Sequence, residues 1–220
     1  MTTIFRLDSS IRTEGSVSRA VADTLEASII ESEGTATTVI RRDVASDSVA
    51  TDVWARSAFA GYIPEADWTP EQASAKAYAN QLADELSAAD VVVVSTSLYN
   101  FGVSQHLKAW IDTVITDPRF GPGAETPVKG KPAFLVVARG GGYGEGTPRE
   151  GWDHATAYLQ RILSDVWGLD LDIIETELTL AEVTPQMAGL RDIARAQLAE
   201  SHENARTAGR SVHLKLRSAA

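Results

Sequence analysis

The chain has 220 residues, 44% hydrophobic and 23% charged, a balance typical of a globular protein that argues against disorder and against membrane insertion. Its formal net charge of -10 argues against a nucleic-acid surface. The lack of any cysteine excludes thiol catalysis, disulfides and cysteine metal sites, so redox chemistry would have to be carried by a bound cofactor.

Thr3-Ile4-Phe5-Arg6-Leu7 reads as a first strand. Met1 leads straight into it without the segments of an export signal, so a cytoplasmic protein is expected. A serine-rich loop, Asp8 to Ser18, precedes a helix whose Val17, Ala20, Val21, Thr24, Leu25, Ser28 and Ile29 share one face, ending near Gly34. Thr37-Thr38-Val39-Ile40 is a second strand, and strand, helix and strand together imply a parallel unit. Free backbone N–H groups at that helix start, with three serine hydroxyls, suit an anion such as a phosphate. Ser16 acting only as a helix cap fits the same residues.

Between Asp43 and Trp68 the periodicity lapses, while Trp54, Phe59, Tyr62 and Trp68 accumulate. A connection this long (44–68) reads as a lid, a partner contact, or a loop packed by its own aromatics onto the core. Thr69-Pro70-Glu71 opens a helix with a cap, a proline at the first position and an acid in the first turn, continuing through Leu82 and Leu86. Asp90-Val91-Val92-Val93-Val94 has no polar face and reads as the buried central strand of a parallel sheet. Ser97-Leu98-Tyr99-Asn100-Phe101-Gly102-Val103-Ser104 follows, where open α/β proteins place ligands, and Ser104 is the expected cap of a helix with Leu107, Trp110, Ile111, Val114 and Ile115 on its apolar face.

After a turn-rich loop from Asp117 to Gly123, Pro132 to Ala138 is a fourth strand that discharges into Arg139-Gly140-Gly141-Gly142-Tyr143-Gly144-Glu145-Gly146. Glycines allow a backbone to approach a flat ligand and to take positive φ. His154 to Leu163 is helical, Leu171 to Ile174 a fifth strand, and Pro185 to Ala208 a last helix. The tail Val212-His213-Leu214-Lys215-Leu216 alternates like a strand but is expected to be a frayed terminus. Five strands alternating with helices predict a single domain over 1–220, a doubly wound five-stranded parallel sheet in three α/β/α layers.

His106, His154, His202 and His213 are too scattered to ligate a metal, and no serine-hydrolase elbow, Walker loop or dinucleotide fingerprint is present. A serine anion loop, an aromatic-amide loop and a glycine loop remain, converging on one sheet edge. They read as a site for flavin mononucleotide (FMN), with the phosphate in Ser10 to Ser18 and the ring between Tyr99-Asn100-Phe101 and Gly140-Gly141-Gly142. Arg12 and Arg19 lie close enough in sequence to assist the phosphate.

The runs Ser9-Ser10-Ile11 and Ser16-Val17-Ser18, Leu98-Tyr99-Asn100-Phe101 followed by Ser104 and Leu107-Lys108, and Arg139-Gly140-Gly141 together resemble the flavodoxin-like FMN-dependent NADH azoreductases, a family that also reduces quinones. The resemblance spans nearly the whole chain. It implies a homodimer with active sites at its interface, and transfer of two electrons from NADH or NADPH to a quinone or azo acceptor. A pocket over one exposed flavin face implies ping-pong kinetics. Carried over by position, Ser10, Ser16, Val17 and Ser18 match the phosphate loop, Leu98, Tyr99, Asn100 and Phe101 the ring-binding turn, and Ala138, Arg139, Gly140 and Gly141 the second turn. No catalytic side chain is expected, and Tyr143 is the expected acceptor contact. Three departures stand out: Ala138 where the family often has serine, Tyr143 where it commonly has histidine, and Ile162 to Gly168 in place of a phenylalanine-rich run that helps wall the acceptor pocket. A flavodoxin-type one-electron carrier docking on redox partners is the alternative reading.

Overall fold

The computed structural model describes residues 1–33 and 37–219; the expected helix end near Gly34 lies outside the described residues. Five parallel strands, β1 (Thr2–Asp8), β2 (Thr37–Asp43), β3 (Val91–Ser97), β4 (Pro132–Ala138) and β5 (Asp170–Thr176), form one sheet in the order β2-β1-β3-β4-β5. This is the order of flavodoxin-like folds. Because the chain steps from β1 outward to β2 and returns to β3, the connections diverge between β1 and β3 and leave a crevice at their carboxyl ends.

Alternation along the strands serves two cores. Phe5, Leu7, Val92, Val94, Leu135 and Val137 face α2 (Val53–Ala60), α3 (Pro70–Ser87), α4 (Gln105–Val114) and α5 (Thr156–Gln160). Ile4, Val91, Val93, Phe134 and Val136 face α1 (Val17–Glu33) and α6 (Arg191–Ala219). On the first face Trp110 stacks on Phe5 at 5.9 Å and meets Trp167 edge-on at 5.8 Å, with Phe120 5.5 Å beyond. The predicted start of α3 forms in full: Thr69 Oγ1 accepts from Gln72 N–H, and the Gln72 side chain accepts from Thr69 N–H.

Three local expectations are corrected. The stretch from Asp43 to Trp68 contains α2 and a short turn over Glu65–Asp67, and three of its four aromatics do not pack the core: Trp54, Phe59 and Tyr62 are 50%, 66% and 84% exposed, while the half-buried Trp68 packs the stretch onto itself, its Nε1–H donating to the Ala60 carbonyl at 2.9 Å. The tail is neither frayed nor strand-like, because α6 runs unbroken from Arg191 to Ala219 and Ala205, Val212 and Leu216 join the core beside α1. Gly209 is where α1 and α6 touch most closely; a Cβ there would lie 2.5 Å from Ser28 Cβ and 2.9 Å from the Leu25 carbonyl. Ile162 to Gly168, a widened helical turn and its exit, lies at the opposite end of the sheet from the crevice. It immediately precedes β5, and the Gly168 carbonyl accepts from Gly130 N–H at the foot of β4, so Trp167 seals the core and does not line the cleft at the crevice.

Candidate functional site

Three loops leave the carboxyl ends of β1, β3 and β4 and meet over the crevice. Between them lies a cleft of about 250 Å³ lined by Ser10, Arg12, Ser16, Val17, Ser97, Leu98, Tyr99, Ala138 and Gly140, with Ile11, Thr179 and Leu180 at its sides. The lining holds one arginine and no carboxylate, in a protein of net charge -10.

The amino end of α1 forms the floor. Ser16 caps the helix, its Oγ accepting from Arg19 N–H at 3.4 Å, while the N–H groups of Val17 and Ser18 belong to the first turn and have no helical acceptor. Ser18 Oγ lies 3.3 Å from Ser16 Oγ and 3.4 Å from Ser97 Oγ, and Ser10 Oγ lies 3.3 Å from Tyr99 Oη. These separations are long for O–H···O bonds, so the buried hydroxyls hold one another weakly and can turn to a better acceptor. The cap and the anion readings of Ser16 are therefore compatible.

Below the loop is an ionic layer. Arg6 is 2% exposed and pairs with Asp8, Asp23 and Glu26; burial opposes its charge, but Asp8 and Asp23 more than offset this and hold its pKa above the ordinary value. Arg19 pairs with Asp43 at 2.8 Å and donates to the Ser10 carbonyl at 2.8 Å, so it fixes the loop's path and is already neutralised. Arg12, on the lining, has no acidic partner among the described residues.

The ring-binding turn is tight and strained. Tyr99 and Gly102 exchange backbone hydrogen bonds of 3.2 and 2.9 Å, forcing Asn100 and Phe101 to φ of 49° and 67°. Asparagine tolerates the left-handed region, whereas phenylalanine pays for it, a pattern found at functional sites. Tyr99 reaches back over the cleft so that its Oη accepts from Ile11 N–H at 3.0 Å. Asn100 and Phe101 lie outside the cleft lining; Phe101 packs instead against Trp152 and Tyr143, at 5.4 and 6.4 Å. Ser104 supplies no side-chain cap to α4, because its Oγ donates to the Ser9 carbonyl at 3.3 Å and ties the first and second loops together.

The glycine loop differs from its expected character. Gly140, Gly141 and Gly142 have ordinary φ, and positive φ first occurs at Gly146. Their lack of side chains makes room for neighbours from the same chain: a Cβ on Gly140 would lie 2.7 Å from Leu180 Cδ1, and one on Gly142 would lie 3.1 Å from Thr147 Cγ2. Backbone N–H groups of Leu178, Thr179 and Leu180 donate to the carbonyls of Gly141, Arg139 and Gly140, an irregular set of bonds beyond the end of the β4–β5 ladder that fastens the loop. Arg139 points away from the cleft. It pairs with Asp153 at 2.8 Å, with Glu177 at 3.2 Å and with Glu175. Asp153 accepts from Ala155 and Thr156 N–H at the start of α5, and His154 N–H donates to the Phe101 carbonyl, so Arg139 braces the ring-binding turn from behind. Tyr143 is held by its N–H on Glu177 at 2.8 Å.

Sequence reasoning included Ser97 in the ligand-placing stretch without giving it a role, and it missed Thr179 and Leu180, which follow β5 and reach the cleft only through their bonds to the glycine loop. Among the described residues no group of three or more acidic or histidine side chains could hold a metal, and no helix is long and apolar enough to cross a membrane.

Comparison with known proteins places the chain. The flavodoxin-like fold family matches residues 2–198. A Streptomyces avermitilis protein named FMN-dependent NADH:quinone oxidoreductase is 38% identical over 206 residues, 93% of this chain and 94% of its own. A Frankia alni protein of the same name is 34% identical over 224 aligned residues, 100% of each chain. Among solved structures, an azoreductase from Bacillus anthracis superposes with a TM-score of 0.77 at 24% identity, covering 96% of this chain and 100% of that one. An FMN-dependent NADH-azoreductase from the same species, in complex with FMN, gives 0.72 at 18% identity, over 94% and 100%.

Proposed function

The chain belongs to the flavodoxin-like family that includes the FMN-dependent NADH:quinone oxidoreductases, and from that premise we propose that it is itself an FMN-dependent enzyme passing two electrons from NADH or NADPH to a quinone or azo acceptor. The observation that carries this is the hydroxyl-lined, carboxylate-free cleft at the β1/β3 crevice, since an acidic protein would hold a phosphate only where its own charges are kept out. Ser10, Ser16, Ser18 and the free N–H groups of the α1 start would hold the phosphate, with Arg12 as the nearby cation. Leu98, Tyr99 and Gly140 would bed the ring.

When bound, FMN supplies the redox chemistry, taking a hydride from the nicotinamide and returning two electrons to the acceptor. The chain's part is to bind, orient and exclude. With Tyr99 and the fastened glycine loop against one side of the ring, donor and acceptor would share the other side and occupy it in turn, which is the basis for a ping-pong scheme. Tyr143, beside the ring-binding turn, would contact the acceptor. A homodimer would cover Trp54 and Phe59 on α2 and Tyr62 in the turn after it, aromatics that a lone chain leaves in water. A cytoplasmic setting, where NADH is supplied, suits this chemistry.

The test is a titration of the purified protein with FMN, followed by NADH consumption with and without a simple quinone. Tight FMN binding and quinone-dependent NADH oxidation are expected. Calorimetry showing no FMN binding at millimolar ligand would overturn the reading, and flavin that is reduced chemically but never by NADH would favour a one-electron carrier.

A further inference from the structure

Arg149 is an exposed cation that no carboxylate among the described residues pairs with. Its guanidinium carbon lies 6.0 Å from the ring centre of Phe101 and 6.0 Å from that of Tyr143, and among the described residues its side chain has no ion pair and no hydrogen bond. Arg6, Arg19, Arg42, Arg119 and Arg139, by contrast, all face carboxylates. The loop that carries Arg149 is fastened: Trp152 N–H donates to the Arg149 carbonyl at 3.1 Å, and Thr147 Oγ1 to the Gly144 carbonyl at 2.7 Å. Glu150, the adjacent acid, is occupied by Gly146 N–H at 2.8 Å. The guanidinium also rests against the glycine turn, since a Cβ on Gly141 would lie 3.1 Å from Arg149 Nη1.

The cation therefore sits against Phe101 of the ring-binding turn and against Gly141, the neighbour of the cleft-lining Gly140, at the outer rim of the cleft rather than on its lining. Stacking on aromatic faces leaves the guanidinium edge, with its fork of N–H donors, free for an oxyanion. At longer range a body of net charge -10 repels an anionic molecule, so a fixed local cation is what would admit one. We propose that Arg149 determines acceptor specificity, selecting quinone or azo acceptors that carry an acidic substituent, a sulfonate or carboxylate, on or next to the reacting ring. This rests on the oxidoreductase reading above. The acceptor is favoured over the nicotinamide donor because the cation lies at the rim beside Tyr143, the expected acceptor contact, whereas the donor's phosphates are separated from its reacting ring by a ribose.

The experiment compares a neutral naphthoquinone with the same ring bearing a sulfonate, on FMN-loaded wild type, Arg149→Gln and Arg149→Lys, at low and high ionic strength. Wild type should prefer the sulfonate in kcat/KM, mostly through KM, and salt should erode the preference. Arg149→Gln should lose about tenfold on the sulfonate, the size of one half-exposed charge-assisted contact, and little on the neutral quinone. Lysine should restore most of the preference, because the charge returns. Without turnover, titrating the oxidised FMN-loaded protein with naphthalene sulfonate and following the flavin absorption band should show the same weakening in Arg149→Gln, with FMN affinity unchanged. Equal loss on both quinones, an unchanged ratio, or an effect confined to KM for NADH overturns the role of Arg149. If wild type reduces neither quinone with NADH, the oxidoreductase reading itself fails.

Discussion

Replacing Ser18 with aspartate sets two consequences of the α1 start against each other. Ser18 is 1% exposed and its hydroxyl makes only the two long contacts to Ser16 and Ser97, so little of the fold depends on it. A carboxylate in the first turn of a helix is favourable by about 0.3–1 kcal/mol, which offsets part of the cost of burying its charge at a position 1% exposed, so the ligand-free protein should stay folded and melt no higher than wild type. Toward FMN every contribution is unfavourable. Loss of a hydrogen bond to a charged group costs about 1.5–3 kcal/mol. Two unit charges about 4 Å apart at an effective dielectric near 20 repel by about 4 kcal/mol, and a phosphate close to its dianion raises this. The combined loss is at least about a thousandfold in FMN affinity. Ser16→Ala, losing one hydroxyl and the cap, should weaken FMN about tenfold and lower stability by about 1 kcal/mol. Flavin fluorescence quenching with FMN and with riboflavin, which lacks the phosphate, reads both variants directly. Riboflavin affinity should barely change. Equal weakening of the two flavins would show that this loop does not hold the phosphate and that the cofactor orientation is wrong.

Tyr143→His should alter acceptor preference more than FMN affinity, measured as kcat/KM ratios across several quinones; equal losses in both would mark Tyr143 as structural. Gly209→Ala gains about 1 kcal/mol of helix propensity but drives a methyl into Ser28 and the Leu25 carbonyl, so denaturant melts should show net destabilisation by about 1–3 kcal/mol, and a more stable variant would mean that α1 and α6 are further apart. Burial works to raise the Asp153 pKa, but the Thr156 hydroxyl, the N–H groups of Thr156 and Ala155, and Arg139 outweigh it and hold the carboxyl below its ordinary value. Its stabilising contribution is thus complete above the unfolded value of about 3.9 and disappears as pH falls through the lower folded value; Asp153→Asn should be less stable near neutrality by about 2 kcal/mol, with the gap to wild type closing in acid. Phe59→Glu and Tyr62→Glu should turn a dimer into a monomer by light scattering if α2 is the subunit interface.

Patterns that repeat along the chain were legible in the sequence, because local physics repeats with them. The β-branched run Val91 to Val94 could only be a doubly covered strand, Thr69-Pro70-Glu71 could only open a helix, and strands alternating with helices lead to a parallel sheet with its loops at one edge. The serine, tyrosine-asparagine-phenylalanine and glycine loops were readable as neighbours for the same reason. Tertiary structure decided what depends on residues far apart in the chain. α2 hid in the sequence because its aromatics point to water instead of the core, and the end of α6 hid because Val212 to Leu216 alternates while its partners lie on α1. Leu180 and Thr179 enter the cleft only because the turn after β5 is hydrogen-bonded to the glycine turn, so the space that glycine opens at position 140 belongs to a side chain forty residues later. Arg139 and Arg149 look alike in sequence; one is buried among three carboxylates and the other is left without any, and that difference exists only once β5 lies beside β4.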